Sequence, residues 1–160
     1  MNHAPGISII TGAYNESMTI IDNVHSLLSI NYHKFELVVV NDGSSDDTLD
    51  KLIKEFKLEE TKYIFETIVQ SSPIRGIYRS TDMAYKNLVV IDKFNGGGKA
   101  DAINAGLNIA KYDYFLNIDV DLSSSIGMGS LRVTPKKKGE TKVKVKDNIT
   151  NETADLRIKI

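Results

Sequence analysis

The chain has 160 residues, of which 41% are hydrophobic and 26% are charged, and it contains no cysteine. This composition is typical of a globular domain, and the lack of cysteine excludes a disulfide framework and a thiolate metal site. No run approaches the roughly 18 consecutive apolar residues of a membrane helix, and the first five residues lack the pattern of a signal peptide. We therefore expect a cytoplasmic protein with no membrane segment in this chain and no nucleic-acid partner.

The net charge of −1 conceals an asymmetry along the chain. Residues 1–127 carry 11 Lys and Arg against 17 Asp and Glu, whereas residues 128–160 carry 9 against 4. The shift predicts that the last thirty or so residues form a segment different in kind from the body.

The first half of the body alternates strand and helix patterns. Residues 7–11 form a short β-branched run that predicts a buried strand, and Asn15 is a plausible N-cap for a helix whose apolar face runs from Ile20 to Leu28. Residues 35–40 predict a second strand that ends in the turn residues Asn41, Asp42 and Gly43. Apolar residues within 49–56 then recur at helical spacing and predict a second helix.

The second half of the body contains a less regular stretch. Residues 63–69 and 87–91 resemble strands, and the polar loop predicted between them carries Arg75, Arg79 and Lys86. A run of three glycines at 96–98 breaks the chain before a predicted helix over residues 99–110.

The last predicted strand of the body, residues 114–120, runs directly into two aspartates, Asp119 and Asp121. Side chains two positions apart on a strand point the same way, so the two carboxylates would repel each other unless a divalent cation lay between them. Aspartates also mark ordinary strand exits, and the pair by itself leaves both interpretations open.

The order of these elements predicts an α/β fold with a mostly parallel sheet flanked by helices. Ligands of such sheets bind at the carboxyl ends of the strands. Seven polar or aromatic residues follow predicted strand ends and so form a candidate site: Tyr14, Glu16, Asp42, Lys99, Asp101, Asp119 and Asp121.

The tail has a different pattern. Three short runs within residues 131–160 alternate polar with apolar residues, as half-exposed antiparallel strands do, and many of the polar positions are lysine. We therefore divide the chain into residues 1–122, a junction at 123–130, and a short antiparallel β segment at 131–160. The segment weakly resembles the closing strands of bacterial immunoglobulin-like modules. One interpretation of it is an interaction module that docks on a protein partner.

Four motifs of the body occur in a recognisable order. They are Gly12-Ala13-Tyr14-Asn15-Glu16, Val40-Asn41-Asp42-Gly43-Ser44-Ser45-Asp46-Asp47-Thr48, Gly97-Gly98-Lys99-Ala100-Asp101-Ala102-Ile103-Asn104-Ala105-Gly106, and Asp119-Val120-Asp121. This series resembles the inverting nucleotide-sugar glycosyltransferases of the GT-A fold, family 2, which include cellulose, chitin and hyaluronan synthases. The resemblance covers the donor-binding half of such enzymes.

The resemblance implies a role for each motif. Ala13, Tyr14 and Glu16 would surround the base and ribose, and Asp42 would accept a hydrogen bond from the base, most simply the ring N–H of uracil. Lys99 would reach the diphosphate, and Asp101 would line the same pocket. Asp119 would face the ribose or diphosphate, and Asp119 and Asp121 would together form the metal motif for Mg²⁺ or Mn²⁺. The implied partner is a nucleotide-sugar, in the first place a UDP-sugar.

The sequence departs from the family in two places. Gly12 stands where the family usually has proline, and the resemblance stops at about Leu122, before the acceptor half that carries the catalytic carboxylate. The resemblance implies a glycosyltransferase of inverting mechanism, with no residue of this chain nominated as the general base. The alternative is a catalytically silent nucleotide-sugar-binding protein, or a truncated or fused fragment that lacks the acceptor half.

Overall fold

The computed structural model describes residues 5–118 in full, together with the backbone of three strands at 130–132, 140–146 and 153–159. Residues 5–118 contain six strands, three α-helices and one short 3₁₀ helix. In chain order these are β1 (Ile7–Ala13), α1 (Ile20–Leu28), β2 (Phe35–Asp42), α2 (Thr48–Glu55), β3 (Leu58–Glu60), β4 (Ile74–Ser80), the 3₁₀ helix (Met83–Tyr85), β5 (Leu88–Lys93), α3 (Lys99–Ile109) and β6 (Tyr114–Asn117).

The six strands form one sheet in the order β3-β4-β5-β2-β1-β6. Strands β5, β2, β1 and β6 run parallel, whereas β4 is antiparallel to β5 and β3 is antiparallel to β4. The register places Ala13 beside Asn41 and Asp42 beside Lys93, so the carboxyl ends of β1, β2 and β5 lie together. The mostly parallel α/β sheet predicted from the sequence is confirmed.

Helices cover both faces of the sheet because its central strands are apolar on both sides. Alternate residues of β1 and β2, such as Ile9 and Leu37, pack against α1 and α2, whereas Ile10 and Val38 face α3. Small residues of α3, Ala102 and Ala105, form much of its contact with the sheet. No helix in the described part of the chain is long and apolar enough to cross a membrane.

The irregular stretch differs from its prediction. Residues 63–69 are not a strand, and β4 occupies the position where a polar loop was predicted. The polar side of α3 holds this segment: the Asn108 side chain accepts hydrogen bonds from the backbone nitrogens of Ile68 and Val69 at 2.9 and 3.0 Å and donates one to the Val69 carbonyl at 2.8 Å. In a strand these backbone groups would pair with a neighbouring strand, whereas here they form hydrogen bonds with an asparagine side chain.

The arginines of the predicted polar loop lie on β4, and each contacts another side chain. Arg75 donates to the buried carboxylate of Asp92 at 2.8 Å, and its guanidinium lies 5.1 Å from the centroid of the Phe94 ring. Arg79 lies over the ring of Tyr63. Antiparallel pairing with the buried strand β5 brings Arg75 to Asp92, a contact that local patterning does not reveal.

The three tail strands form a sheet of their own. They are β7 (Ser130–Arg132), β8 (Glu140–Lys146) and β9 (Thr153–Lys159), arranged antiparallel in the order β7-β8-β9. The register pairs Leu131 with Val145 and Val143 with Leu156, so apolar positions lie opposite apolar positions.

Candidate functional site

A cleft of about 370 Å³ opens at the carboxyl edge of the sheet. Residues from the exits of β1, β2 and β5 line it: Gly12, Ala13, Tyr14, Glu16, Asp42, Asn95, Gly97, Gly98 and Lys99. Five of the residues singled out from the sequence therefore meet in one place, namely Ala13, Tyr14, Glu16, Asp42 and Lys99. They come together because the parallel register aligns the ends of the strands that precede them.

One wall of the cleft is the loop that follows β1. Asn15 in this loop has a positive φ of 53°. The prediction that it caps a helix is wrong, because α1 begins only at Ile20. Its side-chain oxygen accepts hydrogen bonds from the backbone nitrogens of Ser45 and Asp46 at 2.8 and 3.3 Å, and its own backbone nitrogen donates to the Ser44 hydroxyl at 3.0 Å. Asn15 thus ties the first strand exit to the second.

Asp46 makes the reciprocal connection. Its carboxylate accepts from the backbone nitrogen of Ser17 at 3.2 Å and from the backbone nitrogen and hydroxyl of Thr48, the first residue of α2. The hydrogen bond from the Thr48 hydroxyl holds the pKa of Asp46 below its ordinary value, although the side chain is exposed. Asp46 is therefore part of the joint between the two loops and more than a charge at the start of a helix.

The floor of the cleft contains Asp42, the last residue of β2, which is only 6% exposed. Its Oδ1 atom accepts from the Lys93 ammonium and from the backbone nitrogen of Gly96. The hydrogen bonds that Asp42 receives from other described residues all end on Oδ1, so Oδ2 takes none of them. A buried carboxylate with one oxygen already engaged offers the other to an N–H donor.

Lys93, the last residue of β5, lies beneath this floor and is fully buried. Its ammonium contacts Asp42 Oδ1, Asp101 Oδ2 at 2.6 Å and the carbonyl oxygen of Phe94 at 2.7 Å. Asp42 Oδ1 and the Phe94 carbonyl accept hydrogen bonds from it, whereas the contact with Asp101 Oδ2 is an ion pair without hydrogen-bond geometry. Lys93 is absent from the residues predicted for the site; the signal available was a lysine at the end of a parallel strand whose first four residues are apolar.

Asp101 does not line the cleft. It lies in the first turn of α3, behind the glycine loop, where its Oδ1 accepts from the backbone nitrogen of Ser72 at 2.9 Å. Burial works against ionisation of this carboxyl group, but the adjacent Lys93 ammonium and the hydrogen bond from the Ser72 backbone outweigh it, so the pKa of Asp101 lies below its ordinary value.

Two glycines allow the loop after β5 to pack closely on this charged cluster. A Cβ atom on Gly43, whose φ is +67°, would lie 2.6 Å from the backbone nitrogen of Asn95. A Cβ atom on Gly96 would lie 1.9 Å from Asp101 Oδ2. The Asn95 side chain donates to the Asp42 carbonyl at 3.0 Å, so the loop is also held to the end of β2.

Comparison with known proteins identifies the family to which this chain belongs. Residues 8–128 match the model of the family described as glycosyl transferase family 2. The chain belongs to glycosyl transferase family 2. Among curated relatives, it is 30% identical over 116 residues to the poly-beta-1,6-N-acetyl-D-glucosamine synthase of Staphylococcus aureus strain COL and 34% identical over 116 residues to the enzyme of that name from Staphylococcus epidermidis. Each match covers 72% of this chain and 22% of the relative, so the chain spans about a fifth of their length.

Solved structures agree with the family assignment at the level of the fold. The S. aureus TarS fragment 1-349 in complex with UDP-GlcNAc aligns with a TM-score of 0.51 and 22% identity, over 79% of this chain and 28% of that one. The mannosyltransferase PcManGT from Pyrobaculum calidifontis, in complex with GDP-Man and Mn²⁺, aligns with a TM-score of 0.56 and 21% identity, over 75% and 28%. The GT-A fold expected from the motifs is therefore confirmed.

Asp119 and Asp121, which the resemblance assigns to the metal motif, lie outside the described residues. Strand β6, which leads to it, pairs parallel with β1, and the backbone nitrogen of Ile118 donates to the Ile10 carbonyl at 3.1 Å. The chain thus reaches residue 118 running toward the same edge of the sheet as the cleft. Within residues 5–118, no group of three or more His, Asp or Glu side chains could hold a metal ion.

Proposed function

We propose that this family 2 chain forms the donor-binding part of a glycosyltransferase and holds a nucleoside diphosphate sugar, in the first place a UDP-sugar, for inverting transfer of the sugar. The observation that carries the proposal is the cleft itself, which combines an exposed aromatic ring, a buried carboxylate and a lysine at the start of a helix. These three features match the base, the ring N–H and the diphosphate of one ligand.

The base would lie between Tyr14 and Asp42. Tyr14 is 52% exposed at the mouth of the cleft, so one face of its ring is accessible for stacking. Asp42 Oδ2 would accept the ring N–H of uracil, a donor that cytosine lacks at the same ring position. Glu16 and Ala13 line the same wall and would contact the ribose.

The diphosphate would lie at the glycine loop and the start of α3. Lys99 is the first residue of this 11-residue helix and lines the cleft, and the backbone N–H groups of the first turn add partial positive charge at the same point. Lysine acts on a diphosphate as a point charge. This arrangement favours a ligand with two phosphates over a free nucleoside.

Asp119 and Asp121 would hold Mg²⁺ or Mn²⁺. Carboxylate oxygens are the donors that these cations prefer, and β6 leads toward the edge of the sheet where Lys99 lies. When bound, the cation would neutralise charge that develops on the departing nucleoside diphosphate. The residues of the chain supply the rest: Asp42 and Tyr14 orient the base, and Lys99 balances the remaining phosphate charge.

Inverting transfer also needs a carboxylate that deprotonates the acceptor hydroxyl during in-line attack on the anomeric carbon. We assign this general base to no residue of the chain. Acceptor binding and the division of the chain at residues 122 and 130 stay predictions, as do a protein partner for residues 131–160 and a cytoplasmic location.

Calorimetry with UDP tests the proposal. We expect binding that strengthens when Mn²⁺ or Mg²⁺ is added and that loses its metal dependence in Asp121→Ala. The matched control is Asp113→Ala, because Asp113 is an exposed aspartate at the opposite end of β6. Absence of UDP binding at millimolar concentration, with and without metal, would contradict the proposal.

The same protein then separates a transferase from a silent binder. UDP-GlcNAc is the first donor to test, because the curated relatives are named as N-acetylglucosamine polymer synthases. Release of UDP from this sugar nucleotide, lost in Asp121→Ala, would support residual transferase chemistry. Metal-dependent binding without turnover would favour the nucleotide-sugar-binding alternative.

A further inference from the structure

Lys93 is a fully buried cation that the donor-site roles described above do not use. Burial of an ammonium group is unfavourable unless hydrogen bonds and opposite charges replace the lost water. The structure supplies both, because carboxylates from two different elements meet on this one nitrogen: Asp42 at the end of β2 and Asp101 in the first turn of α3. The third contact is the carbonyl of Phe94, the next residue in the chain.

The two carboxylates come from elements that form different parts of the cleft. Asp42 is part of its floor, at the position proposed for the base, whereas Asp101 lies behind the loop that leads to Lys99, at the position proposed for the diphosphate. Lys93 is therefore the point at which the end of β2 and the start of α3 are joined. Gly96 lies close to both carboxylates. A Cβ atom on Gly96 would collide with Asp101, and its backbone nitrogen donates a hydrogen bond to Asp42 Oδ1.

We propose that Lys93 is a positioning residue for the donor nucleotide. It would hold Asp42 through Oδ1 so that Oδ2 faces the base, and it would hold Asp101 so that the start of α3 stays beside the diphosphate. The inference rests on the proposed function, since it assigns Lys93 a role in the same site. In this role Lys93 makes no contact with the nucleotide and acts on it through Asp42 and Asp101.

A purely structural role for Lys93 predicts something different. In that case Lys93→Met would lower the melting temperature, and its effect on nucleotide affinity would be independent of Asp42. A positioning role predicts that the effects of the two residues on affinity are coupled, because Lys93 acts on the base only through the Asp42 carboxylate.

A double-mutant cycle on UDP affinity in the presence of Mn²⁺ separates these roles. The variants are Lys93→Met, Asp42→Asn and the double variant, each measured by calorimetry alongside its melting temperature. We expect each single substitution to weaken UDP about tenfold or more, and the double variant to be no weaker than the worse single variant. Lys57→Met is the matched control, because Lys57 forms an ion pair with Asp82 at 2.9 Å that is exposed and remote from the cleft.

A measurement on the wild-type protein covers the case in which Lys93→Met does not fold. With ¹⁵N-labelled lysine, the buried Lys93 ammonium should give a signal protected from exchange with water, and saturation with UDP should shift it. Asp42→Asn should move the signal in the absence of ligand and abolish most of the UDP-induced shift. An ammonium signal that UDP leaves unchanged would overturn the inference.

The outcomes distinguish this inference from the proposed function. If the wild type does not bind UDP, the proposed function fails and the role of Lys93 fails with it. If the wild type binds UDP but Lys93→Met binds equally well, or if the two substitutions weaken UDP independently, only the positioning role is overturned.

Discussion

The side-chain oxygen of Asn15 lies 2.8 Å from the backbone nitrogen of Ser45, and this bond joins the loop after β1 to the loop after β2. Asn15 stands in a motif that resembles a nucleotide-binding signature, yet it does not line the cleft. Its neighbours in the chain, Tyr14 and Glu16, do line it. The asparagine therefore sets where the binding residues on either side of it lie.

Loss of the Asn15 side chain should loosen both loops. We expect Asn15→Ala to lower the free energy of unfolding by about 1–2 kcal/mol, because it removes hydrogen bonds from a loop joint and leaves alanine at a positive φ. Asn15→Gly should recover part of this loss, because glycine adopts the positive φ without strain although it has no side chain to form the hydrogen bonds. Urea unfolding of the two variants separates the two contributions, and an unchanged midpoint in both would contradict the role given to Asn15.

Tyr14 should contribute to nucleotide affinity through its ring. Stacking of a base on an aromatic side chain is worth about 1–3 kcal/mol by alanine substitution, so Tyr14→Ala should weaken UDP about tenfold or more. Tyr14→Phe keeps the ring and should bind nearly as well as the wild type. Calorimetry on the pair tests this, and equal weakening in both variants would point to the hydroxyl instead.

Gly96 should tolerate no side chain. Gly96→Ala places a Cβ atom where Asp101 Oδ2 lies, so the carboxylate must move away from Lys93 or the loop must lift. We expect a melting temperature several degrees lower, by thermal unfolding, since the substitution disturbs a buried ion pair. Gly98→Ala is the stability control, because its added Cβ has no neighbour within 4 Å and the backbone there is extended. Equal melting temperatures for both variants would show that the loop has room to adjust.

Acid should weaken the joints around the cleft. The pKa values of Asp46 and Asp101 lie below the ordinary value of 3.8, so each carboxylate contributes stability that is present above that pH and is lost as the pH falls through the lowered pKa. We expect the melting temperature to decline below about pH 4. The decline should be shallower in Asp46→Asn and Asp101→Asn than in the wild type.

Asp113→Asn is the control for the acid series, because Asp113 is exposed in the turn before β6. Its melting temperature should fall with pH as that of the wild type does. A wild-type slope in Asp46→Asn and Asp101→Asn as well would mean that other carboxylates dominate acid unfolding.

The fold class and most of the cleft could be predicted from the amino-acid sequence alone. Buried parallel strands appear as short apolar runs followed by polar exits, and parallel strands bring those exits to one edge, so Tyr14, Asp42 and Lys99 could be placed together without coordinates. This placement could be predicted because it depends only on local sequence patterns and on the handedness of the connections between strands.

The charged residues that meet beneath the cleft could be identified only from the three-dimensional structure. Asp42 lies 51 residues before Lys93, and the contacts of Lys93 with Asp42 and Asp101 depend on the register of β5 against β2 and on where α3 begins. The same holds for residues 63–69, whose apolar pattern favours a strand but whose backbone bonds to Asn108 on α3 instead. Pairing between distant segments has no local signature, because the energy of a buried ion pair or a side-chain hydrogen bond exists only once both partners are in place.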